Sequence, residues 1–239
     1  MGAIVSEKNS GRLTAFVEII VFLTIALGSK QLLDPYIWRY AGPASLLITL
    51  TLLAIYMRRR GMSWASLGLK PLPGLKPKLM VLPQALLTFA AFAAAVATAI
   101  FGGEALGWEF MSKIPDGVED RWGDIKDNLP LYLLWITIAW GSAAFGEEVF
   151  FRGFMITRLQ AAFAGVKFAS VIAVVLAAML FGFVHIYYQG LRGFVTTGLI
   201  GLAFGIMFLA LKKNLWPIML VHGIVDSIGF TARYLGLDS

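Results

Sequence analysis

Apolar residues in this chain are grouped into seven long runs that short polar segments separate. Most of the runs approach the roughly 20 apolar residues that a helix needs to cross a bilayer. They are Leu13–Leu33, Ala41–Met57, Leu79–Phe101, Pro130–Phe154, Phe168–Tyr188, Phe194–Leu211 and Trp216–Tyr234. Only the short turn at 189–193 separates the fifth run from the sixth. The pattern predicts an all-α fold, a polytopic membrane bundle of about seven transmembrane helices.

The sequence shows no internal repeat, and no polar stretch between these runs is long enough to form a soluble domain. We therefore predict a single integral membrane domain over residues 1–239. Residues 130–235 are its predicted four-helix core, because they carry the motifs described below, and the first three spans are expected to shield this core. In the sixth span, Gly201 and Gly205 form a G-x-x-x-G pattern, which predicts close approach of another helix.

Composition excludes the soluble classes of protein. The sequence is 59% hydrophobic and 14% charged, whereas a soluble domain is about 25% charged. A water-soluble enzyme and a nucleic-acid-binding protein are both excluded, so the net charge of +6 reflects basic loops beside a membrane. The absence of cysteine excludes disulfides, iron–sulfur clusters and thiolate zinc sites.

The basic residues also predict an orientation. With the N-terminus inside, thirteen of the twenty Lys and Arg residues lie on inner segments and seven on outer ones. An excess of this kind is typical of cytoplasmic loops. We expect an integral protein of a bacterial- or archaeal-type cell membrane, with a cytoplasmic N-terminus and the loop Gly102–Leu129 outside.

Several ionisable residues lie inside the predicted spans. Among the acids these are Glu18, Glu147, Glu148 and Asp226, and each costs about 2.5–3.5 kcal/mol near the bilayer centre. Both histidines of the chain are there too, His185 in the fifth span and His222 in the seventh. Such residues are tolerated around water-filled sites. We therefore predict a polar site on the fourth, fifth and seventh spans, whereas Glu18, without an identifiable partner, is expected to snorkel to the inner surface.

Helical spacing suggests how these side chains pair. Glu148 and Arg152 are four residues apart, so they can form an ion pair on one helix face. Glu147 is turned about 100° away and is free to face elsewhere. His222 and Asp226 also share one face. We expect Glu148 and Arg152 to support the site and Glu147 to face it.

Two kinds of chemistry remain open at such a site. The chain has no H-E-x-x-H zinc motif and no G-x-S-x-G nucleophile elbow. His185, His222 and Glu147 could supply the three protein ligands of a catalytic zinc. The same groups could activate a water without a metal, with the carboxylate as the base. The expected cofactor is therefore either none or zinc.

Three motifs in this order resemble a known family. They are E-E-x-x-x-R at Glu147–Arg152, F-x-x-x-H at Phe181–His185 and H-x-x-x-(N/D) at His222–Asp226. Together they resemble the CPBP family of intramembrane proteases, which includes type II CAAX prenyl endopeptidases and Abi, bacteriocin-processing proteins. Two shorter segments, Trp64–Leu69 and Trp216-Pro217, agree with the same family.

The resemblance implies an intramembrane endopeptidase, of glutamate or metalloprotease type, that acts in the cytoplasmic half of the membrane. Glu147 is the implied general base acting with His185, and His222 and Asp226 form the oxyanion side. The implied partners are the lipid bilayer and a membrane-bound peptide or protein substrate, prenylated of CAAX type or bacteriocin-like, and no nucleic acid. Prenyl endopeptidases carry Asn at the position of Asp226, which puts a prenylated substrate in doubt. Either Asp226 is protonated, or its charge holds His222 as an imidazolium.

Two other functions stay open on the sequence. A proton- or cation-coupled transporter also uses buried Glu and His, but it would need polar residues in both halves of the membrane, and no repeat pairs two halves here. A non-catalytic binding protein, such as a bacteriocin immunity protein, would carry a decayed site. The complete set of motif residues argues against decay.

Overall fold

The computed structural model describes residues 2–237, and their side chains from Gly11 onward. Helices make up 84% of the structure, and the described residues contain no strand, so the all-α prediction is confirmed. The α-helices are α1 (Gly2–Arg59), α2 (Leu75–Leu79), α3 (Val81–Ala105), α4 (Glu109–Ser112), α5 (Asp116–Trp122), α6 (Leu129–Ile138), α7 (Thr157–Ala162), α8 (Ala169–Phe183), α9 (Ile186–Ala210) and α10 (Trp216–Tyr234). Short 3₁₀ helices cover Trp64–Leu67 and Gly123–Ile125, and a π-helix, Ala139–Ile156, joins α6 to α7.

Helix α1 folds back on itself at Ile37. This residue has non-helical dihedral angles (φ −141°, ψ 44°) two positions after Pro35, where a proline disrupts helical hydrogen bonding. The Tyr56 hydroxyl donates a hydrogen bond to Glu18, 38 residues earlier, although a straight helix would separate them by about 57 Å. The first two predicted spans are therefore the two arms of an antiparallel hairpin.

Four stretches of helix are long and apolar enough to cross a membrane, at residues 11–59, 75–105, 129–162 and 186–210. Helix α8 is apolar but shorter. Many large apolar side chains on these helices are exposed, as expected where a surface faces lipid. The chain is an integral membrane protein, and the number of its membrane crossings stays a prediction.

Glu18 does not sit alone at a helix end. It is buried, and its Oε2 lies 3.1 Å from Nε of Arg158 on α7. With the hydrogen bond from Tyr56, this ion pair neutralises the carboxylate inside the protein. The prediction that Glu18 lacks a partner and snorkels was wrong, because sequence spacing does not reveal a partner 140 residues away.

Helices α8 and α9 pack closely through glycines. A Cβ atom placed on Gly201 would lie 3.2 Å from Cα of Ala178, and one on Gly205 would lie 2.8 Å from Cγ1 of Val174. Both contacts are with α8: a Cβ at Gly205 would force Val174 to shift, and one at Gly201 would be tighter than ordinary packing. The predicted close approach at this G-x-x-x-G face is confirmed.

The segment after the first hairpin anchors α10. The backbone N–H of Leu215 donates to the carbonyl of Gly68 (3.1 Å), and the indole of Trp216 donates to the carbonyl of Lys70 (2.8 Å). A Cβ atom on Gly153 would lie 2.6 Å from the carbonyl oxygen of Leu67. The two shorter family-like segments therefore meet in space and fix the start of α10 against the π-helix.

The fifth predicted span ends earlier than expected. Helix α8 stops at Phe183, and His185 occupies the turn before α9 rather than the interior of a helix. A second break follows at Gly190 (φ 57°, ψ −156°), in a backbone region that essentially only glycine adopts. The turn at His185 is not visible in the apolar pattern, because Ile186, Tyr187 and Tyr188 continue the apolar run.

Candidate active site

The two adjacent glutamates of the first motif lie in the π-helix. A π-helix bonds residue i to i+5, so each turn contains more residues and successive side chains diverge by less than 100°. His222 on α10 consequently contacts both: its Nδ1 lies 2.7 Å from Oε1 of Glu148, and its Nε2 lies 4.0 Å from Oε2 of Glu147. The predicted separation of the two glutamates was too large because it assumed an α-helix.

Glu148 and Arg152 form the predicted ion pair. Oε1 of Glu148 lies 3.1 Å from Nη1 of Arg152, and the two side chains are 0% and 2% exposed. The guanidinium also lies over the rings of Phe181 (4.2 Å) and Phe204 (5.3 Å), which attract a cation. This buried cation compensates a carboxylate that would otherwise be unpaired in the protein interior.

The tautomer of His222 follows from its contacts. Because the Glu148 carboxylate accepts the hydrogen bond, Nδ1 of His222 carries a proton. Nε2 then faces Glu147 and Asp226, whose Oδ2 lies 3.6 Å away, beyond hydrogen-bond length. A side chain on Gly223 would overlap the ring of Trp140 (2.7 Å), so this glycine lets α10 lie against the π-helix. The sequence-based grouping of His222 and Asp226 on one face agrees with this geometry.

His185 lies on another wall of the site. Its Nδ1 is 2.7 Å from the carbonyl oxygen of Phe181. Because a carbonyl only accepts, Nδ1 donates and the neutral ring presents a lone pair at Nε2. No carboxylate of the described residues lies within 4.0 Å of this imidazole, so Glu147 and His185 are not in direct contact, and their joint action on a water stays a prediction.

These groups face one cavity of about 320 Å³. Glu147, His185, His222 and Asp226 line it together with residues of α1, α5, α6 and α9. Most of its wall is apolar or aromatic, and the polar groups converge at one place. Pockets of this composition commonly hold organic ligands, with a few polar groups fixing their orientation.

The predicted zinc ligands do not form a ready-made metal site. Among residues 11–237, no three His, Asp or Glu side chains are grouped so that they could hold a metal ion. The Nδ1 bonds of His222 to Glu148 and of His185 to Phe181 leave each Nε2 available, but the described residues do not group these nitrogens with a carboxylate at a metal-binding position. The donor set of His185, His222 and Glu147 does not fit zinc in this arrangement, and we derive no step through a metal.

One residue of the cavity was missed by the sequence analysis. Arg121 belongs to the predicted outer loop, yet it is only 5% exposed and lines the cavity beside the motif residues. The loop is rich in acids, so its arginine looked like an ordinary surface cation. No spacing signal in the sequence distinguishes it.

Fold and site together describe an integral membrane protein whose helices enclose a cavity lined by glutamate, histidine and aspartate side chains. Residues 129–228 match the family model described as Type II CAAX prenyl endopeptidase Rce1-like. The matched segment contains all three motifs, and the match confirms the family resemblance. It supports a CAAX-type intramembrane protease in general. No curated protein and no solved structure matches the chain.

Proposed function

We propose that this protein is an intramembrane endopeptidase that hydrolyses membrane-associated peptides with a water activated by Glu147. The observation that carries this proposal is the position of the Glu147 carboxylate. It lines the cavity, retains 22% exposure and lies 4.0 Å from His222. A partly exposed carboxylate beside a histidine can hold a water between them and take its proton.

The proposed reaction conserves every atom of the water. Glu147 removes one proton as the water oxygen bonds to the carbonyl carbon of the substrate. The carbonyl π electrons move onto its oxygen, and this oxyanion accepts a hydrogen bond from Nε2–H of protonated His222. The tetrahedral intermediate then collapses, the C–N bond breaks, and Glu147 returns its proton to the leaving amine.

His185 and Asp226 have supporting roles in this scheme. The Nε2 lone pair of His185 can accept a hydrogen bond from the second O–H of the water and so orient the water oxygen towards the carbonyl carbon. Asp226, 3.6 Å from Nε2 of His222, can hydrogen bond to the oxyanion or to the substrate amide when protonated. Both side chains line the same cavity as Glu147.

Glu148 and Arg152 act through His222 in this proposal. The 2.7 Å hydrogen bond from Nδ1 fixes the ring and favours a proton on it, as a carboxylate does for a ligating or catalytic histidine. Arg152, 3.1 Å from Glu148, pairs with this carboxylate. We place the catalytic core at residues 130–235 of the single membrane domain.

An apolar cavity favours peptides with apolar side chains. Two substrate classes fit the proposal: prenylated CAAX-type peptides and bacteriocin-like peptides. A quenched fluorescent peptide library, with and without a prenylated cysteine, separates them when purified wild type is compared with Glu147→Ala. We expect cleavage by wild type only. Equal cleavage by both proteins, or none by either, would contradict the proposal.

A further inference from the structure

Arg121 is a buried cation surrounded by aromatic rings. Its guanidinium carbon lies 4.5 Å from the ring centroid of Tyr188, 5.4 Å from that of Trp135 and 5.6 Å from that of Trp122. Such contacts stabilise a desolvated cation in part. They leave its hydrogen-bonding groups free to bind something else.

Most donors of this guanidinium lack a protein acceptor. Nη1 donates to the hydroxyl of Tyr187 (3.1 Å), whereas Nε is buried without a hydrogen-bond partner. No described carboxylate lies within 4.0 Å of Arg121. An arginine has five N–H donors and a charge that it keeps at any ordinary pH, and buried charges are normally paired.

The loop that carries Arg121 is tied down over the cavity. Glu119 pairs with Arg233 (2.8 Å) and Asp124 with Arg39 (2.5 Å). A Cβ atom on Gly117 would lie 2.7 Å from the carbonyl oxygen of Tyr188, so α5 contacts the start of α9 directly. These contacts fix the guanidinium in place and preorganise it for a ligand.

The other cation of the cavity wall is already neutralised. Nζ of Lys30 lies 2.6 Å from Oδ2 of Asp34 and 3.6 Å from the ring centroid of Tyr187. Arg121 is therefore the cation of this cavity that has no ion-pair partner within 4.0 Å among the described acids. It shares the cavity with Glu147 and His222.

We propose that Arg121 binds a carboxylate of the substrate peptide. This inference rests on the proposed peptidase function and adds a specificity determinant to it. Arginine pairs with a carboxylate through two parallel hydrogen bonds, and Nε with one Nη nitrogen provides such a pair of donors. A carboxylate bound to Arg121 fixes the position of the peptide relative to Glu147. It therefore determines which peptide bond lies next to Glu147 and is cleaved. The carboxylate is either the C-terminus of the peptide or an acidic side chain.

The test compares three otherwise identical quenched peptides in detergent micelles: a C-terminal acid, a C-terminal amide, and an amide with one internal Asn replaced by Asp. We expect wild type to cleave one carboxylate-bearing peptide with a kcat/KM about ten- to a hundredfold above that of the neutral amide, the range of a charge-assisted hydrogen bond. Which acidic peptide is preferred identifies the source of the carboxylate. In Arg121→Gln the preference should fall to within about threefold, and Arg121→Lys should restore part of it.

Arg192→Gln is the matched control. Arg192 lies at the same end of the bundle and bonds the carbonyl of Lys113 (2.9 Å), but it does not line the cavity. Its substitution should leave the preference unchanged. If Arg121→Gln lowers the cleavage rate equally for all three peptides, Arg121 has a purely structural role and the proposal is overturned.

The failure of this inference is distinguishable from that of the peptidase function. If wild type cleaves all three peptides equally, the carboxylate site is wrong and the peptidase stands. If no peptide is cleaved, the peptidase function fails. In that case a binding measurement tests the carboxylate site at Arg121 without relying on cleavage. An N-acetylated Ala-Leu-Leu acid should then quench the fluorescence of Trp122 and Trp135 saturably in wild type and not in Arg121→Gln. An equal response to the acid and to its amide would overturn the site.

Discussion

Arg152→Met tests how much the buried ion pair of the site contributes to stability. The substitution removes the cation that lies 3.1 Å from Glu148 and leaves a carboxylate that is 0% exposed. Methionine has a similar reach and keeps the contact with Phe181 and Phe204. The variant therefore changes charge much more than it changes packing.

The expected loss of unfolding free energy in Arg152→Met is the sum of several contributions. Removing one partner of a buried ion pair costs about 3–5 kcal/mol. Losing the cation–π contacts costs about 2 kcal/mol, and methionine–aromatic contacts return about 1 kcal/mol of it. The hydrogen bond from His222 to Glu148 remains and offsets part of the unpaired charge. We expect the free energy of unfolding to fall by about 3–5 kcal/mol.

The assay is a denaturant titration in detergent micelles, followed by tryptophan fluorescence. Adding Glu148→Gln to Arg152→Met removes the buried charge altogether, so the double variant should recover about 2 kcal/mol. Asp34→Asn is the matched control, because Lys30 and Asp34 are also four residues apart but are 20% and 25% exposed. A pair that is partly exposed to solvent contributes about 1 kcal/mol, much less than one that is fully buried.

The reasoning is refuted if Arg152→Met costs no more than Asp34→Asn. It is also refuted if the double variant is as unstable as the sum of its single changes, since Glu148 and Arg152 would then not interact. In either case the pair could not be what holds His222 in position.

Three further results are expected. Gly201→Leu combined with Gly205→Leu should abolish folding or activity, because a Cβ at Gly205 already overlaps Val174 of α8, the space at Gly201 is tight, and leucine is much larger than one Cβ; normal expression and activity would show that this face is not an interface. Asp226→Asn should keep activity within about tenfold and leave the alkaline limb of the pH–rate profile in place, because the proposed scheme uses Asp226 as a neutral hydrogen-bond donor, a role that the amide of Asn can take over. A shift of that limb to lower pH would show that the charge of Asp226 holds the imidazolium. A membrane-permeant chelator should leave the rate unchanged, whereas loss of activity that zinc restores, with stoichiometric zinc in the purified protein, would establish a metalloprotease.

Much of the fold can be predicted from the apolar pattern. Runs of the right length give the helical bundle, and the small residues at Gly201 and Gly205 give one helix interface. Turns inside an apolar run are invisible to this approach. His185 illustrates the limit, because the apolar and aromatic residues after it continue the pattern while the backbone turns.

The site is predictable where its partners are close in sequence. Glu148 with Arg152 and His222 with Asp226 follow from helical spacing. The contact of His222 with Glu148 spans 74 residues, and that of Glu18 with Arg158 spans 140, so neither contact has a signal in local spacing. The π-helix adds a second limit, because its wider turn changes which neighbours share a face.

The burial of Arg121 could not be predicted from the sequence of its loop. Loops usually run over the surface and carry solvated charges, so an arginine among seven acids predicts a surface residue. Its burial depends on α5 docking beside α9 and α10. That docking is a tertiary event, and the aromatic rings that receive the guanidinium come from three different parts of the chain.

The rate of peptide cleavage by Glu147→Gln tests the central claim most directly. Glutamine keeps the shape of the side chain but cannot take a proton from water, and loss of a general base typically lowers kcat about 10²–10⁴-fold. Glu109→Gln, outside the cavity lining, is the control and should cleave at the wild-type rate. We expect Glu147→Gln to fold and unfold like wild type while its kcat falls by at least a hundredfold. A folded Glu147→Gln protein that turns over a defined peptide at nearly the wild-type rate would contradict the assignment of Glu147 as the base.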